Sequence, residues 1–409
     1  MKHVIVGNGI AGVHAAEAIR AIDENAQITM IGDETLLYSR PMISYVLDGS
    51  QSHKKLPIRS ERFYEDLQIV PLLGNRASRV DVVQRHVAFA DGTQVAYDRL
   101  LIATGADPRP LKAEGMHLGN IFYLRTENHV KQLVAALDDG FRHALVLGGG
   151  LVGFKAAYGL LKRGLSVTML IGSGYPLSMQ VDKTAGRMIL DELLEHGLNV
   201  EVGVNVSAFE GNGTVRQAVT DAGRRLPCEI VVIGKGVIPA RSIIPRRRID
   251  VDLGVLVDGH LQTCEPGVFA AGDVAEMVDI ARGVRWVNAI WPEAAAQGRV
   301  AGFNMAGRPV VYPGSLSRNV MRVFTLDVLT VGIANPPEKA PFRIVQRGGP
   351  SFGYYRRLVF KGDKLVGAVL INRIEQGGVL RSLIENRVPI RLPQEALLAP
   401  GFNFIQLLP

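Results

Sequence analysis

The stretch Val4-Ile5-Val6-Gly7-Asn8-Gly9-Ile10-Ala11-Gly12 opens the chain and places a G-x-G-x-x-G pattern directly after a short aliphatic run. Leu145-Val146-Leu147-Gly148-Gly149-Gly150-Leu151-Val152-Gly153 repeats this pattern later in the chain. The spacing predicts an Ala-rich helix and a second strand after each copy, at 10–22 and 27–31 in the first and at 151–163 and 166–171 in the second. Strand, glycine turn, helix and strand form a βαβ unit, so the sequence predicts two dinucleotide-binding domains.

The three glycines of this pattern have separate physical roles. The first permits a tight turn, the second lets a phosphate approach the backbone, and the third lets the helix pack on the strand. The free N–H groups and the positive end of the helix dipole then face the pyrophosphate. One copy is a weak signal, whereas two copies in the same setting strongly favour dinucleotide binding.

Further strands are predicted around the second repeat. Alternating segments at 85–90 and 94–97 flank the Asp91-Gly92 turn and predict a hairpin. Aliphatic runs at 100–103 and 229–233 predict buried strands.

From about residue 315 the pattern changes to that of a third domain of α+β type. It predicts antiparallel strands at 320–324, 355–360 and 364–371 and a helix at 378–386. The apolar tail at 397–409 is broken by Pro400 and Gly401, so we expect it to pack on a neighbour.

Composition excludes several classes of protein. The chain has 409 residues, 47% hydrophobic and 21% charged, which is ordinary for a globular protein and excludes disorder or a coiled coil for the chain as a whole. Its apolar runs are too short to span a membrane, and Met1-Lys2-His3 leads directly into a strand, so no signal peptide is expected. The histidines and cysteines lack the spacing of a zinc or cluster site.

The two cysteines, Cys228 and Cys264, cannot build a disulfide framework and favour a cytoplasmic location. Both lie in strand-like segments, so we interpret both as buried, inert thiols.

The net charge of +7 would attract an acidic protein, a nucleic acid or an anionic cofactor. The one dense basic run, Pro245-Arg246-Arg247-Arg248, is too short to indicate nucleic acid, and we interpret it as a solvated loop. Basic faces with interleaved aromatic residues are not found.

The chain resembles the flavoprotein reductases with two dinucleotide-binding domains. Within them it is most similar to the NADH-dependent rubredoxin and ferredoxin reductases and to the flavin part of nitrite reductase. Besides the two glycine motifs, the resemblance rests on separated motifs over nearly the whole chain: Ile31-Gly32-Asp33, Tyr38-Ser39-Arg40-Pro41, Ala103-Thr104-Gly105, Tyr123-Leu124-Arg125-Thr126, Phe269-Ala270-Ala271-Gly272-Asp273 and Pro292-Glu293-Ala294-Ala295-Ala296-Gln297-Gly298.

The resemblance implies an α/β fold with two Rossmann-like domains of the glutathione reductase type and a C-terminal α+β domain. It implies an FAD-binding domain at 1–112 and 245–314, an NAD(P)-binding domain at 113–244 and an interface domain at 315–409.

The resemblance also implies a set of FAD contacts, with Asp33 on the adenosine ribose, Asp273 on the ribityl chain and Trp291 beside the pyrimidine ring. Alone, Asp273 would be interpreted as a helix N-cap. The remaining implied FAD residues are Gly7, Gly9, Ala11, Gly12, Arg40, Ala77, Thr104, Gly105, Arg125 and Gly272.

The implied NAD(P) residues carry two departures from the family pattern. The family's acidic residue at the end of the second strand falls near Ile171, in a segment without a carboxylate or an arginine, so the choice between NAD and NADP stays open, with NAD(H) favoured. Lys155 replaces a glutamate expected near the nicotinamide, and we expect it either to pair with Glu293 or to be solvated. The implied NAD(P) contacts are Gly148, Gly150, Leu151, Val152, Gly153 and Gly236.

A third departure concerns the chemistry. Disulfide reductases of this superfamily carry redox cysteines in or near the first domain, and the matching stretch at 38–43 contains none. The resemblance therefore implies hydride exchange between nicotinamide and FAD and single-electron exchange with a partner, with no catalytic side chain required. An acidic iron–sulfur or rubredoxin-type carrier is the expected partner, contacted by Arg40 or the loop at 246–248.

We favour one flavin subunit of a multi-subunit oxidoreductase complex, with electron flow possible in either direction. Two alternatives stay open: an NADH:quinone reductase, and a flavoprotein assembly scaffold with a degenerate nicotinamide site.

Overall fold

The computed structural model describes residues 1–137, 140–337, 340–399 and 401–407. Its α-helices are α1 (Ile10–Ile22), α2 (Ile43–Leu47), α3 (Phe63–Asp66), α4 (Glu127–Leu137), α5 (Leu151–Lys162), α6 (Lys183–Glu195), α7 (Trp291–Met305) and α8 (Gly377–Glu385). Short 3₁₀ helices lie at Arg40–Met42, His53–Lys55, Pro350–Phe352, Gln394–Leu398 and Phe404–Leu407.

The strands, in chain order, are β1 (Lys2–Val6), β2 (Gln27–Gly32), β3 (Ile69–Leu73), β4 (Ala77–Asp81), β5 (His86–Phe89), β6 (Gln94–Ala96), β7 (Arg99–Ile102), β8 (Ala106–Pro108), β9 (Ile121–Tyr123), β10 (His143–Leu147), β11 (Ser166–Ile171), β12 (Asn199–Val202), β13 (Val206–Asn212), β14 (Thr214–Thr220), β15 (Arg225–Pro227), β16 (Ile230–Ile233), β17 (Val237–Pro239), β18 (Val255–Leu256), β19 (Val268–Ala270), β20 (Ala275–Val278), β21 (Arg285–Trp286), β22 (Arg318–Val323), β23 (Leu326–Gly332), β24 (Phe342–Gly349), β25 (Tyr354–Lys361) and β26 (Lys364–Ile371).

The chain forms two compact units. The first comprises Met1–Pro41, Lys54–Asp107 and Val237–Leu316, and the second comprises Met42–His53, Pro108–Gly236 and Ser317–Pro409. The three-domain division with boundaries near residues 112, 244 and 314 stays a prediction.

The core of the first unit is a parallel sheet with the strand order β19-β7-β1-β2-β3. Its central strands β1 and β7 each contain a run of three aliphatic residues, and Ile5, Leu100 and Leu101 are fully buried. A continuous apolar run is typical of a parallel strand that is covered on both faces. The hairpin of β5 and β6 confirms the prediction made from the Asp91-Gly92 turn.

The second unit contains a parallel sheet with the order β12-β11-β10-β16-β9. Strand β10 lies between β11, which follows α5, and β16, just as β1 lies between β2, which follows α1, and β7. The predicted repeat of strand, glycine turn, helix and strand is therefore confirmed in both copies. The predicted bounds of α1 and β11 are confirmed at both ends, and α5 ends at Lys162, with Arg163 as its C-cap.

The C-terminal part of the second unit is an antiparallel sheet with the order β22-β23-β26-β25-β24, accompanied by α8. This confirms the predicted α+β segment. Phe324 joins it to α5 and α6, since its ring stacks on His196 at 4.2 Å and meets Tyr158 edge-on at 5.4 Å. Thr325 Oγ1 also donates to Glu192 Oε1 at 2.8 Å.

The apolar tail at 397–409 is described only in part, because Pro400 and the last two residues lie outside the described residues. Leu397 and Leu398 are buried. Across the residues that the structure describes, no helix combines the length and apolarity needed to cross a bilayer.

Helices α1 and α7 of the first unit approach each other through small residues. A Cβ added to Gly298 would lie 2.1 Å from the Ala11 carbonyl oxygen, and one added to Gly302 would lie 2.4 Å from the Ala15 carbonyl oxygen. Backbone atoms at these distances cannot be displaced by a side-chain rotation. The two glycines therefore set the spacing of the helix pair.

We predict that Gly298→Ala lowers the free energy of unfolding by about 1–3 kcal/mol, because the methyl group forces α7 away from α1. Gly378→Ala is the matched control, since Gly378 lies in α8 and its added Cβ would meet no described heavy atom within 4 Å. This control should leave the stability within about 1 kcal/mol of the wild type or raise it. Denaturant unfolding of both variants measures the difference, and equal stabilities would contradict the packing argument.

Candidate functional site

In the glycine turn of the first unit, two positions have no room for a side chain. Gly7 has φ +123°, and a Cβ added to it would lie 2.1 Å from the Ala103 carbonyl oxygen. A Cβ added to Gly12 would lie 2.0 Å from the Gly7 carbonyl oxygen. These two glycines hold β1, its turn and α1 together.

Gly9 differs from both, because its Cα faces open space. It is the N-cap of α1 with φ −78° and ψ −175°, and a Cβ added to it would have no described heavy atom within 4 Å. Glycine has no side chain to cap the helix, so the N–H groups of the first turn are left to an external acceptor. The open space and the helix dipole fit a pyrophosphate.

The second glycine turn has the same geometry in the second unit. Gly148 has φ +111°, and a Cβ added to it would lie 2.5 Å from the Gly234 carbonyl oxygen. A Cβ added to Gly153 would lie 1.9 Å from the Gly148 carbonyl oxygen. Gly150 is the N-cap of α5, and its added Cβ also meets no described heavy atom within 4 Å. Leu151 and Val152 form the first turn of α5.

Asp33 stands at the carboxyl end of β2, next to the first glycine turn. Its side chain is half exposed and lies 3.8 Å from the Arg76 guanidinium. Asn8, in the turn itself, donates from Nδ2 to the Glu34 carbonyl oxygen at 2.7 Å, which ties the end of β2 to the turn. Ala77 begins β4 and is buried.

Arg40 belongs to a polar cluster that the sequence analysis did not anticipate. Its guanidinium contacts the Glu34 carboxylate and donates to the Tyr38 hydroxyl at 3.0 Å, and that hydroxyl donates to Glu34 Oε1 at 2.8 Å. Glu34 offsets the charge of Arg40. The spacing of four and six residues along an irregular segment gives no periodic signal, so Glu34 was missed.

Thr104 and Gly105 follow β7 and are fixed by a crossing segment of the same unit. The Thr104 hydroxyl donates to the Ala240 carbonyl oxygen at 2.6 Å, and the Ala240 N–H donates to the Gly105 carbonyl oxygen at 2.9 Å. This anchors the end of β7 beside the first glycine turn, since β7 pairs with β1.

Gly272 and Asp273 follow β19. Gly272 has φ +82°, its N–H donates to Gln297 Oε1 at 2.8 Å, and its added Cβ would lie 3.2 Å from the Ala11 Cβ. Asp273 lies in the turn between β19 and β20, so the alternative interpretation of Asp273 as a helix N-cap is wrong. Trp291 is the first residue of α7.

The first unit thus brings Gly7, Ala11 and Gly272 together at the N-terminal end of α1. The second unit holds Arg125, which follows β9, and Gly236, which has φ +86° and whose carbonyl oxygen accepts from the Arg109 N–H at 2.9 Å.

The second strand of the second unit, β11, ends at Ile171 and not at a carboxylate. Ile171 is 1% exposed, and a Cβ added to Gly149 would lie 2.8 Å from its side chain. Ile171 therefore packs beneath the glycine turn rather than facing a ligand.

Lys155 and Glu293 belong to different units, and their pairing stays a prediction. Lys155 is half-buried, with its ammonium 6.0 Å from the centroid of the Tyr45 ring, and burial lowers its pKa. Glu293 is 2% exposed and accepts a hydrogen bond from the Tyr312 hydroxyl.

Lys235 was also missed, although it lies between two glycines already noted. Its Nζ donates to Asn205 Oδ1 at 2.8 Å. The two residues are far apart in sequence, and only the sheet topology brings them together.

The two cysteines differ in exposure. Cys228 is 1% exposed, and burial raises the pKa of its thiol to about 12, so it is inert as expected. The expectation of burial is wrong for Cys264, which is exposed and lies outside the strands, on a bend before β19. Its Sγ lies 3.2 Å from the Arg248 carbonyl oxygen.

The family model for pyridine nucleotide-disulphide oxidoreductases matches residues 1–298. The chain belongs to this oxidoreductase family. Its members bind FAD, which fits the open space over Gly9. A second model, the rubredoxin NAD+ reductase C-terminal domain, matches residues 318–388 of this oxidoreductase.

Several relatives of this oxidoreductase are similar over almost the whole chain. It is 31% identical to the NADH-dependent phenylglyoxylate dehydrogenase subunit epsilon of Aromatoleum evansii, over 95% of this chain and 92% of that one. It is also 31% identical to the biphenyl dioxygenase system ferredoxin–NAD(+) reductase component of Paraburkholderia xenovorans, over 95% and 94%. The 29% identical nitrite reductase of Bacillus subtilis is longer, and the match spans 47% of it.

Among solved structures, the covalent putidaredoxin reductase–putidaredoxin complex is similar, with a TM-score of 0.87 and 26% identity over 95% of this chain and 94% of that one. The family and this likeness confirm the predicted resemblance and the predicted α/β fold class with a C-terminal α+β segment.

We predict that Gly9→Ala weakens ligand binding, whereas Gly12→Ala destabilises the fold. The methyl group of Gly9→Ala fits the protein but enters the space open to a phosphate, so FAD affinity falls roughly tenfold or more, as expected for about 1.4 kcal/mol of lost contact. Gly12→Ala collides with backbone and destabilises the fold. Flavin release during dialysis and thermal unfolding measure the two effects, and a Gly9→Ala variant that keeps FAD as tightly as the wild type would contradict the assignment.

Proposed function

We propose that this oxidoreductase exchanges hydride between NAD(P)H and FAD and single electrons between FAD and an iron–sulfur or rubredoxin-type partner. The observation that carries the proposal is the duplicated glycine turn, in which Gly9 and Gly150 each leave open space before an uncapped helix. Two such turns suit two dinucleotides, one in each unit.

FAD would be held by the first unit. Gly7, Gly9, Ala11 and Gly12 would receive the pyrophosphate, and Asp33, half exposed at the end of β2, would accept hydrogen bonds from the adenosine ribose. The other proposed FAD contacts are Arg40, Ala77, Thr104, Gly105, Arg125, Gly272, Asp273 and Trp291. When bound, FAD supplies hydride exchange at N5 and single-electron transfer.

The nicotinamide dinucleotide would be held by the second unit, at Gly148, Gly150, Leu151, Val152, Gly153 and Gly236. The names of several relatives specify NADH or NAD(+), which favours NADH as a substrate here.

A thiol relay is not part of the proposal. The Cys228 thiol stays protonated at neutral pH because burial raises its pKa to about 12, and a protonated thiol is a poor nucleophile. Electrons would leave the flavin directly for a one-electron partner.

The proposed partner is an acidic iron–sulfur or rubredoxin-type protein, and the chain would act as the flavin component of a multi-subunit system. The net charge of +7 suits such an encounter. The exposed loop residues Arg246, Arg247 and Arg248 are the proposed contact, in preference to Arg40, whose charge Glu34 offsets. We also propose a cytoplasmic location, which two unpaired cysteines favour.

The proposal is tested by mixing the FAD-loaded protein anaerobically with NADH and then adding a ferredoxin or a rubredoxin. We expect the flavin absorbance to bleach and then to recover as the carrier is reduced. A flavin that NADH does not bleach would favour the scaffold alternative, and faster reoxidation by a quinone than by either carrier would favour the quinone reductase alternative.

We predict that Arg247→Glu slows reduction of the acidic carrier severalfold at low ionic strength and weakens the salt dependence of the rate, because one attractive charge becomes repulsive. Lys361→Glu is the matched control, since Lys361 is also exposed and the change in net charge is the same. Stopped-flow rates across a salt series measure the effect. Rates that salt does not change, or equal losses in the two variants, would contradict a docking role for the loop.

A further inference from the structure

The carboxyl edge of the parallel sheet in the second unit carries a cation beside the end of β11. This is the strand end at which dinucleotide-binding domains place the group that meets the 2′ position of the adenosine ribose. A carboxylate there binds the ribose diol and repels a 2′-phosphate, whereas a cation accommodates the phosphate.

The end of β11 offers no anionic group of its own. Ile171 is buried beneath Gly149, and it is followed by the exposed Gly172 and by Ser173. Any charged group at this position must therefore come from a neighbouring loop.

Asn205 is the first residue supplied by a neighbouring loop. It lies between β12 and β13, and its carbonyl oxygen accepts from the Asp221 N–H at 2.9 Å. A Cβ added to Gly172 would lie 2.4 Å from Asn205 Oδ1, so the amide rests directly against the backbone at the end of β11.

Lys235 is the second residue supplied by a neighbouring loop. It follows β16, on the other side of β10, and reaches across the carboxyl edge to donate from Nζ to Asn205 Oδ1 at 2.8 Å. The Lys235 ammonium is therefore held by Asn205, whose side-chain amide lies against Gly172, although β16 lies on the far side of β10 from β11.

The ammonium of Lys235 is half-buried and donates to an uncharged partner. Its hydrogen-bond acceptor is a neutral amide, and burial lowers the pKa of its ammonium, while the carboxylate of the exposed Asp221 acts in the opposite direction. A partly desolvated cation without a tight ion pair binds an incoming anion more strongly than a fully hydrated one does.

We propose that Lys235 is the specificity-determining residue of the dinucleotide site, and that its ammonium, held by Asn205, receives a 2′-phosphate of the adenosine ribose. The chain then accepts the 2′-phosphorylated dinucleotide NADPH in addition to NADH. The inference rests on the proposed function of the second glycine turn and extends its substrate range.

Isothermal titration of the FAD-loaded protein with 2′,5′-ADP and with 5′-AMP tests the proposal without turnover. We expect 2′,5′-ADP to bind about tenfold or more tightly than 5′-AMP, as one charge-assisted contact provides. Lys235→Met should remove this preference and Lys235→Arg should keep it. Lys183→Met, the same change at an exposed lysine at the start of α6, should also keep it.

Steady-state rates supply the second readout. In Lys235→Met we expect kcat/KM to fall about tenfold for NADPH and to change less than threefold for NADH. The proposal is overturned if Lys235→Met weakens both nucleotides equally, if it leaves the preference intact, or if 2′,5′-ADP does not bind. Absence of hydride transfer from either dinucleotide, with the calorimetric preference intact, would instead count against the proposed function alone.

Discussion

Helices α1 and α5 each start at a glycine without a side-chain cap, and a Cβ added to Gly9 or Gly150 would meet no described heavy atom within 4 Å. The free N–H groups of an uncapped helix start are satisfied by water or by a ligand, and the positive end of the helix dipole favours an anion there. Gly9 and Gly150 keep the space open, while Gly12 and Gly153 bring each helix onto its strand. The same arrangement, built twice, is what we propose holds one dinucleotide in each unit.

The two copies diverge at the end of their second strands. In the first, Asp33 is half exposed beside the turn and suits a ribose diol. In the second, Ile171 has turned inward under Gly149, and the edge is completed by Asn205 and Lys235 from other loops. The two copies thus have a carboxylate near the end of the second strand in one unit and an ammonium held by Asn205 in the other.

Periodic and local features were predictable from the sequence, whereas contacts between distant loops were not. The bounds of α1 and β11 follow from glycine motifs and aliphatic runs, which are local signals. The Lys235–Asn205 hydrogen bond and the contact between Arg40 and Glu34 depend on how irregular segments converge, which spacing alone does not encode. Cys264 was also misjudged, since it stands on an exposed bend just before the buried strand β19.

In the proposed function, electrons pass through the flavin without a thiol relay. An anaerobic reductive titration of the FAD-loaded protein, followed by its visible absorbance, counts the electrons that each chain accepts. We expect two electrons per chain, all taken up as the flavin bleaches. Uptake of four electrons, which would require a redox-active thiol pair, or a chain that holds no flavin after reconstitution, would contradict it.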